Sequence, residues 1–220
     1  MMTESEIIKN LLDINYGEDE TISTLSVAIR NSRELSDREV ETGKKKNLIN
    51  TDRLENSIIN NTYEGSKFIA LANYLIIIDL IGNIFKKCNQ SEIKDGFKQT
   101  LKHFTTLDDL EIKSLKNLRN ALAHKFSLGN ESEVFTLDYS ENSKNIIELP
   151  FENYPSHKRS LQKTEKNLTI VYFENICDLV ENVYSELKCL ESKNQLEILS
   201  KYKVESIINI FDIKSMYFIK

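Results

Sequence analysis

The chain has 220 residues, a formal net charge of -5, 40% hydrophobic and 29% charged residues, and only 2 prolines and 6 glycines. That length supports one well-buried core with room for an appendage, and scarce turn residues argue against a sandwich or barrel while allowing long helices. The acidic balance argues against non-specific coating of a nucleic-acid backbone, which needs many phosphates neutralised, but not against a compact site that holds one phosphate.

Residues Thr3 to Asn15 place Ile7, Ile8, Leu11 and Leu12 at helical spacing, and Gly17 interrupts the pattern. Residues 18 to 50 are charge-rich, with a weaker apolar pattern through Ile22, Leu25, Ala28 and Ile29. Lys44, Lys45 and Lys46 follow Gly43 and read as a solvated loop or helix end. Residues 1–50 therefore read as an N-terminal helical extension, and 51–220 as the main helical domain. The N-terminus has acidic residues and no basic flank or cleavage site, so no signal peptide is expected.

A long helical region starts near Thr51, where Thr51 or Asp52 can cap it. It includes the apolar run from Phe68 to Phe85, broken by Asn73, Asp79 and Asn83. An aspartate in mid-span is costly in lipid, so the run reads as a central core helix and no membrane association is expected. Cys88 to Ser91 is a break, and Ser91 can cap a short helix through Phe104. Thr106 to Asp109 opens the next helix with acidic residues, favourable to its dipole. That helix should run to about Phe126 and stop near Gly129 and Asn130.

The pattern then changes. Val134–Tyr139 and Ile146–Leu149 read as two short strands joined through Ser140–Asn145 as a hairpin. Pro150 and Pro155 follow, then a basic run with His157, Lys158, Arg159, Lys163 and Lys166 that reads as a solvated loop. Leu168 to Tyr172 can begin as a strand. Helical periodicity resumes at Phe173 and continues through Ile176, Val180, Val183 and Leu187, and a further helix is expected from Gln195 to about Phe211. Cys88, Cys177 and Cys189 are odd in number and lack metal-ligand spacing, so they read as reduced thiols in the cytoplasm, with Cys177 and Cys189 in the core.

On the helix from Leu107 to Phe126, at about 100° per residue, Leu115, Leu118, Leu122 and Phe126 form the core stripe. Asn117, Asn120 and His124 fall on the opposite side, and Arg119 emerges nearer the apolar margin. An arginine beside a core needs a partner. Asp79, the acidic residue within the apolar run, has the same need. Pairing them satisfies both and aims the remaining guanidinium donors in a fixed direction. His103 and His157 lack a matched acid or nucleophile nearby and read as surface residues. No Gly-rich phosphate loop, serine elbow or zinc constellation is visible, so neither metal nor cofactor is expected.

Arg119 and Asn120, three intervening residues, then His124 resemble the Arg-polar-x-x-x-His motif of HEPN domains. The resemblance covers roughly residues 51 to 193. It implies a mainly α fold, a HEPN-like helical bundle; the hairpin and basic loop read from the residues make a small β-hairpin insertion at about 131–172 that exceeds a minimal HEPN bundle. It also implies metal-independent RNA cleavage leaving 2′,3′-cyclic phosphate ends, in a toxin or defence effector. By the same resemblance two copies meet as a homodimer around one cleft. His124 then serves proton transfer, Arg119 phosphate stabilisation, and Asn120 orientation of the phosphate or of His124, with Asp79 in support. RNA is the implied substrate, and an antitoxin or other regulatory protein a candidate partner. Some HEPN toxins carry a tyrosine two residues after the histidine, which an antitoxin modifies; this chain has Phe126 there, so that silencing route is closed. A structural role remains open for each residue: His124 at a helix end, Arg119 in an ion pair, Asn120 at the terminus. The competing function is a catalytically silent HEPN dimer acting as a binding or scaffold module.

Overall fold

The structure, a computed structural model, describes residues 3–15, 21–46, 56–129, 133–140, 143–150, 168–203, 207 and 210–214, with the backbone alone at 21, 56–64 and 212–214. Among them the helices are α1 (Glu4–Leu11), α2 (Thr24–Leu35), α3 (Asn56–Ile84), α4 (Gly96–Phe104), α5 (Asp109–Lys125) and α6 (Phe173–Ser192). The strands are short: β1 (Thr21–Ser23), β2 (Phe85–Lys87), β3 (Val134–Asp138), β4 (Ile147–Glu148), β5 (Leu168–Tyr172), β6 (Leu196–Ile198) and β7 (Asp212–Lys214). Helices dominate, but three small sheets make this an α and β mixture rather than a purely helical protein.

The apolar run is the central helix. Ala70, Leu71, Tyr74, Leu75, Ile77, Ile78, Ile81 and Ile84 are all 0% exposed, and α3 packs against α2, α4 and α6. Its Gly65–Ile84 portion is long and apolar enough to cross a membrane; its core contacts are a sufficient reason for that composition. The approach of α4 is close because neither helix carries a side chain at the crossing. A Cβ on Gly82 would stand 1.9 Å from the Gly96 oxygen.

The described part of the N-terminal segment is built into this core. Ile7, Ile8, Leu11, Leu25 and Ile29 join one cluster with α3 and α6. Thr3 caps α1 in a capping box with Glu6. The loop after α2 folds back on itself, with an antiparallel bridge between Arg38 and Lys45. Lys44, Lys45 and Lys46 are exposed on that loop.

Several expectations need correction. Val134–Asp138 and Ile147–Glu148 do not pair with each other as a hairpin. Both pair with β5, β3 in parallel and β4 antiparallel, giving the order β3-β5-β4. β5 is rich in β-branched residues, and Thr169 and Val171 are 0% exposed, so it takes the centre of the sheet. Between α5 and α6 the described strands thus form a mixed three-stranded sheet. The helix expected from Gln195 to Phe211 begins instead as strand β6, which pairs with β2 at the end of α3. Asn194, at φ 53°, turns the chain out of α6, and Leu196 and Ile198 alternate into the core at 5% and 6% exposure. Asp95, not Ser91, caps α4. Cys189 is exposed rather than buried, whereas Cys177 is buried and Cys88 intermediate. The left-handed stop expected near Gly129 and Asn130 is taken by Phe126 instead, one residue after the helix ends at Lys125; the expected caps at Thr51 and Asp52 and the basic run with His157 lie outside the described residues.

Candidate functional site

Asp108 and Glu111 form a capping box at the start of α5, and His124 and Lys125 occupy its last turn, both matching the dipole. Ile112, Leu115, Leu118 and Leu122 bury one face. Phe126 leaves that stripe. It closes the helix in the left-handed conformation at φ 49° and is 72% exposed, with its ring centroid 6.0 Å from that of Phe68. The expected core contact therefore fails at this residue, because the helix stops one position before it.

Arg119 points toward α3. Its Nη2 forms an ion pair with Asp79 Oδ2, both side chains about three-quarters covered. Its Nη1 donates to Asn120 Oδ1 at 3.0 Å, and its Nε is buried without a hydrogen-bond partner among the described residues. Asn83 Nδ2 donates to Asp79 Oδ1 at 3.2 Å, and Lys201 Nζ donates to Asn83 Oδ1 at 3.1 Å. Because Asn120 Oδ1 accepts from Arg119, its amide nitrogen remains for an outside acceptor. His124 lies one turn beyond Asn120 and is exposed. Lys116 pairs with Asp95. Burial alone would raise the Asp95 pKa, but the Lys116 and Lys98 hydrogen bonds and the charges of Lys116 and Arg119 hold it below the ordinary value.

Asn117 does not share the open face with Asn120 and His124. Its Nδ2 donates at 3.0 Å to Glu133, which is 8% exposed. Ser114 also donates to Glu133, as does Thr169 at 2.6 Å. These bonds clamp the sheet to α5 just before the motif. His103 is half-buried, and burial together with the charge of Lys87 lowers its pKa. Among the described residues no three His, Cys, Asp or Glu side chains group to hold a metal ion.

Comparison with family profiles, curated proteins and solved structures finds no match for this chain.

A second polar cluster escaped the sequence reading. Arg33 Nε and Nη2 donate to the two oxygens of Glu181 at 2.9 and 2.7 Å. Arg38 meets Glu174 at 3.3 Å and Asp178 at 2.8 Å. Beside them a polar cleft of about 530 Å³ is lined by Arg38, Lys44, Lys45, Asp178, Asn182 and Ser185, among others. Burial pushes the nearby Cys177 thiol well above its ordinary pKa, which suits a core residue and not a nucleophile. Arg33 and Arg38 are 2% and 3% exposed, so this cluster ties the N-terminal segment to α6.

Proposed function

We propose that this chain is a metal-independent endoribonuclease of the HEPN type, acting as a homodimer in the manner of a toxin or defence effector. The observation that carries the reading is the guanidinium of Arg119, held at Asp79 and at Asn120 on the helix that presents His124 to solvent. An arginine held on two sides presents its other donors with little entropy left to lose, which suits a phosphate whose charge grows in the transition state. RNA brings its own nucleophile, the 2′-hydroxyl. His124 can take that proton or protonate the leaving 5′-oxygen, and the Asn120 amide can donate to a non-bridging oxygen. One motif histidine per subunit, His124, makes a second copy the natural source of the other proton-transfer group.

The surface beside the motif fits a second copy. Ile69 and Ile76 are the large apolar side chains of α3 that stand open to solvent among the described residues, each 45% exposed. They stand two turns apart on one side of α3. Phe126, at 72% exposure, adds to the apolar area near the end of α5. Ile76→Asp is expected to convert the dimer to monomer at micromolar concentration while keeping the helical circular dichroism. Light scattering checks it; an unchanged dimer would move the interface elsewhere.

The test of the reading is cleavage of purified RNA in excess chelator, with end-group analysis. Full activity, 2′,3′-cyclic phosphate ends and resistance of a substrate with 2′-deoxy at the cut site are expected. A requirement for divalent metal, or cleavage of the deoxy substrate, overturns the mechanism. The net charge of -5 favours a second reading, a silent dimer that binds a partner, and absence of any cleavage by pure wild-type protein would select it.

A further inference from the structure

Asn83 lies one turn beyond Asp79 on α3. Its Nδ2 donates to the Asp79 backbone oxygen at 2.9 Å and to Asp79 Oδ1 at 3.2 Å. Its Oδ1 accepts from Lys201 Nζ at 3.1 Å. The two carboxylate oxygens of Asp79 therefore have separate tasks: Oδ1 is held by Asn83, and Oδ2 holds Arg119. A carboxylate fixed at one oxygen alone can swing, because the terminal torsion of aspartate is broad. The second hydrogen bond removes that freedom.

The surroundings of Asn83 leave it little room. The N-terminus of α4 lies over it, and a Cβ on Gly96 would stand 2.5 Å from Asn83 Nδ2. The side chain is bonded at both ends and partly buried, with the start of α4 against its amide nitrogen. It is a short rigid spacer between the segment that carries Lys201 and the carboxylate under Arg119.

We propose that Asn83 is a positioning residue: through Asp79 it fixes the plane of the Arg119 guanidinium, and thereby sets the rate of the phosphate chemistry. The effect on rate rests on the ribonuclease reading; the effect on Arg119 rests on the geometry alone. Loss of the Asn83 amide leaves the Asp79–Arg119 pair in place but frees it to turn. A displacement on the order of an ångström in a charge-stabilising group can cost about 100-fold in rate.

Asn83→Ala and Asn83→Asp are the variants, compared at matched folded fraction. Alanine removes the side chain. Aspartate keeps its shape but turns the donor facing Asp79 into an acceptor. Both are expected to lower kcat by about 10–100-fold with little change in KM, whereas a merely structural role would lower the melting temperature and leave the kcat of the folded protein alone. The same substitutions are then placed in an Arg119→Lys background, which keeps a cation for Asp79 but has no planar fork to orient. There the Asn83 penalty should shrink to about 2-fold or less; an equal penalty in both backgrounds overturns the proposal.

A second readout is independent of turnover. Nitrogen-15 spectra report the rotation of the Arg119 guanidinium, whose signal is identified by its disappearance in Arg119→Lys. Rotation is expected to be slow in the wild type and at least several-fold faster in both Asn83 variants. Unchanged rotation overturns the proposal whatever the kinetics show. If the wild type does not cleave RNA, the ribonuclease reading falls by itself, and the rotation measurement alone decides whether Asn83 fixes Arg119.

Discussion

His124→Ala is expected to lower RNA cleavage about 10²–10⁴-fold without a measurable change in melting temperature. The two halves of this expectation come from different observations. The imidazole is exposed in the last turn of α5, beyond the buried run that ends at Leu122, and exposed substitutions of this kind usually stay within about 0.5 kcal/mol. Its favourable meeting with the helix dipole applies only when it is charged, and at an exposed end is worth about 0.3–1 kcal/mol. Rate is another matter, because proton transfer to or from a ribose oxygen has no substitute in an alanine. On the ribonuclease reading Arg119→Ala should also remove phosphate stabilisation, but it strands Asp79 beside the core, so its activity is interpretable only after folding is checked. His124 is therefore the cleaner probe. Wild-type rates in His124→Ala, with a pure preparation, would show that this helix does not carry the chemistry.

The same physical rule made part of this site legible and could have revealed more. A charge on an apolar stripe must find its opposite, and that rule leads from Asp79 and Arg119 to the ion pair that joins α3 and α5. It applies equally to α2, where Arg33 follows Ile29 at one turn on the buried face, and to α6, where Glu174 and Glu181 flank Cys177 and Val180. The partners there are 148 positions apart, and no local pattern chooses among several arginines and glutamates. Strand pairing was hidden for a related reason. Val134–Asp138 and Ile147–Glu148 alternate as strands should, but alternation says only which face is buried, not which neighbour supplies the hydrogen bonds; β5 supplied them to both. Phe126 failed at a boundary, since periodicity places a residue on a face only while the helix continues. The acidic opening of α5 was readable because it is local, and Asp108 there proves to cap the helix together with Glu111 within one turn.

Arg33→Ala is expected to destabilise the protein by about 3–5 kcal/mol, the usual cost of removing one partner from a buried pair. The side chains of Arg33 and Glu181 are 3% and 14% exposed. Besides its two bonds to Glu181, Arg33 donates from Nη1 to the Val40 oxygen at 2.5 Å and lies 5.5 Å from the Tyr184 ring centroid. Its removal leaves a carboxylate against backbone, because a Cβ on Gly43 would stand 2.3 Å from Glu181 Oε2. Among the described residues the other hydrogen-bond donor to Glu181 is the Tyr74 hydroxyl at 3.5 Å, which cannot replace a cation. A loss of this size is a large share of the roughly 5–15 kcal/mol that holds a domain folded, and for a chain of this length it lowers the melting temperature by on the order of 10 °C. Arg33→Met combined with Glu181→Leu should recover much of the loss, since no buried charge is then left alone. Thermal melts of the three proteins decide the matter. Arg33→Ala melting within about 2 °C of wild type would mean that water reaches Glu181, and that the bond between the N-terminal segment and α6 is apolar rather than ionic.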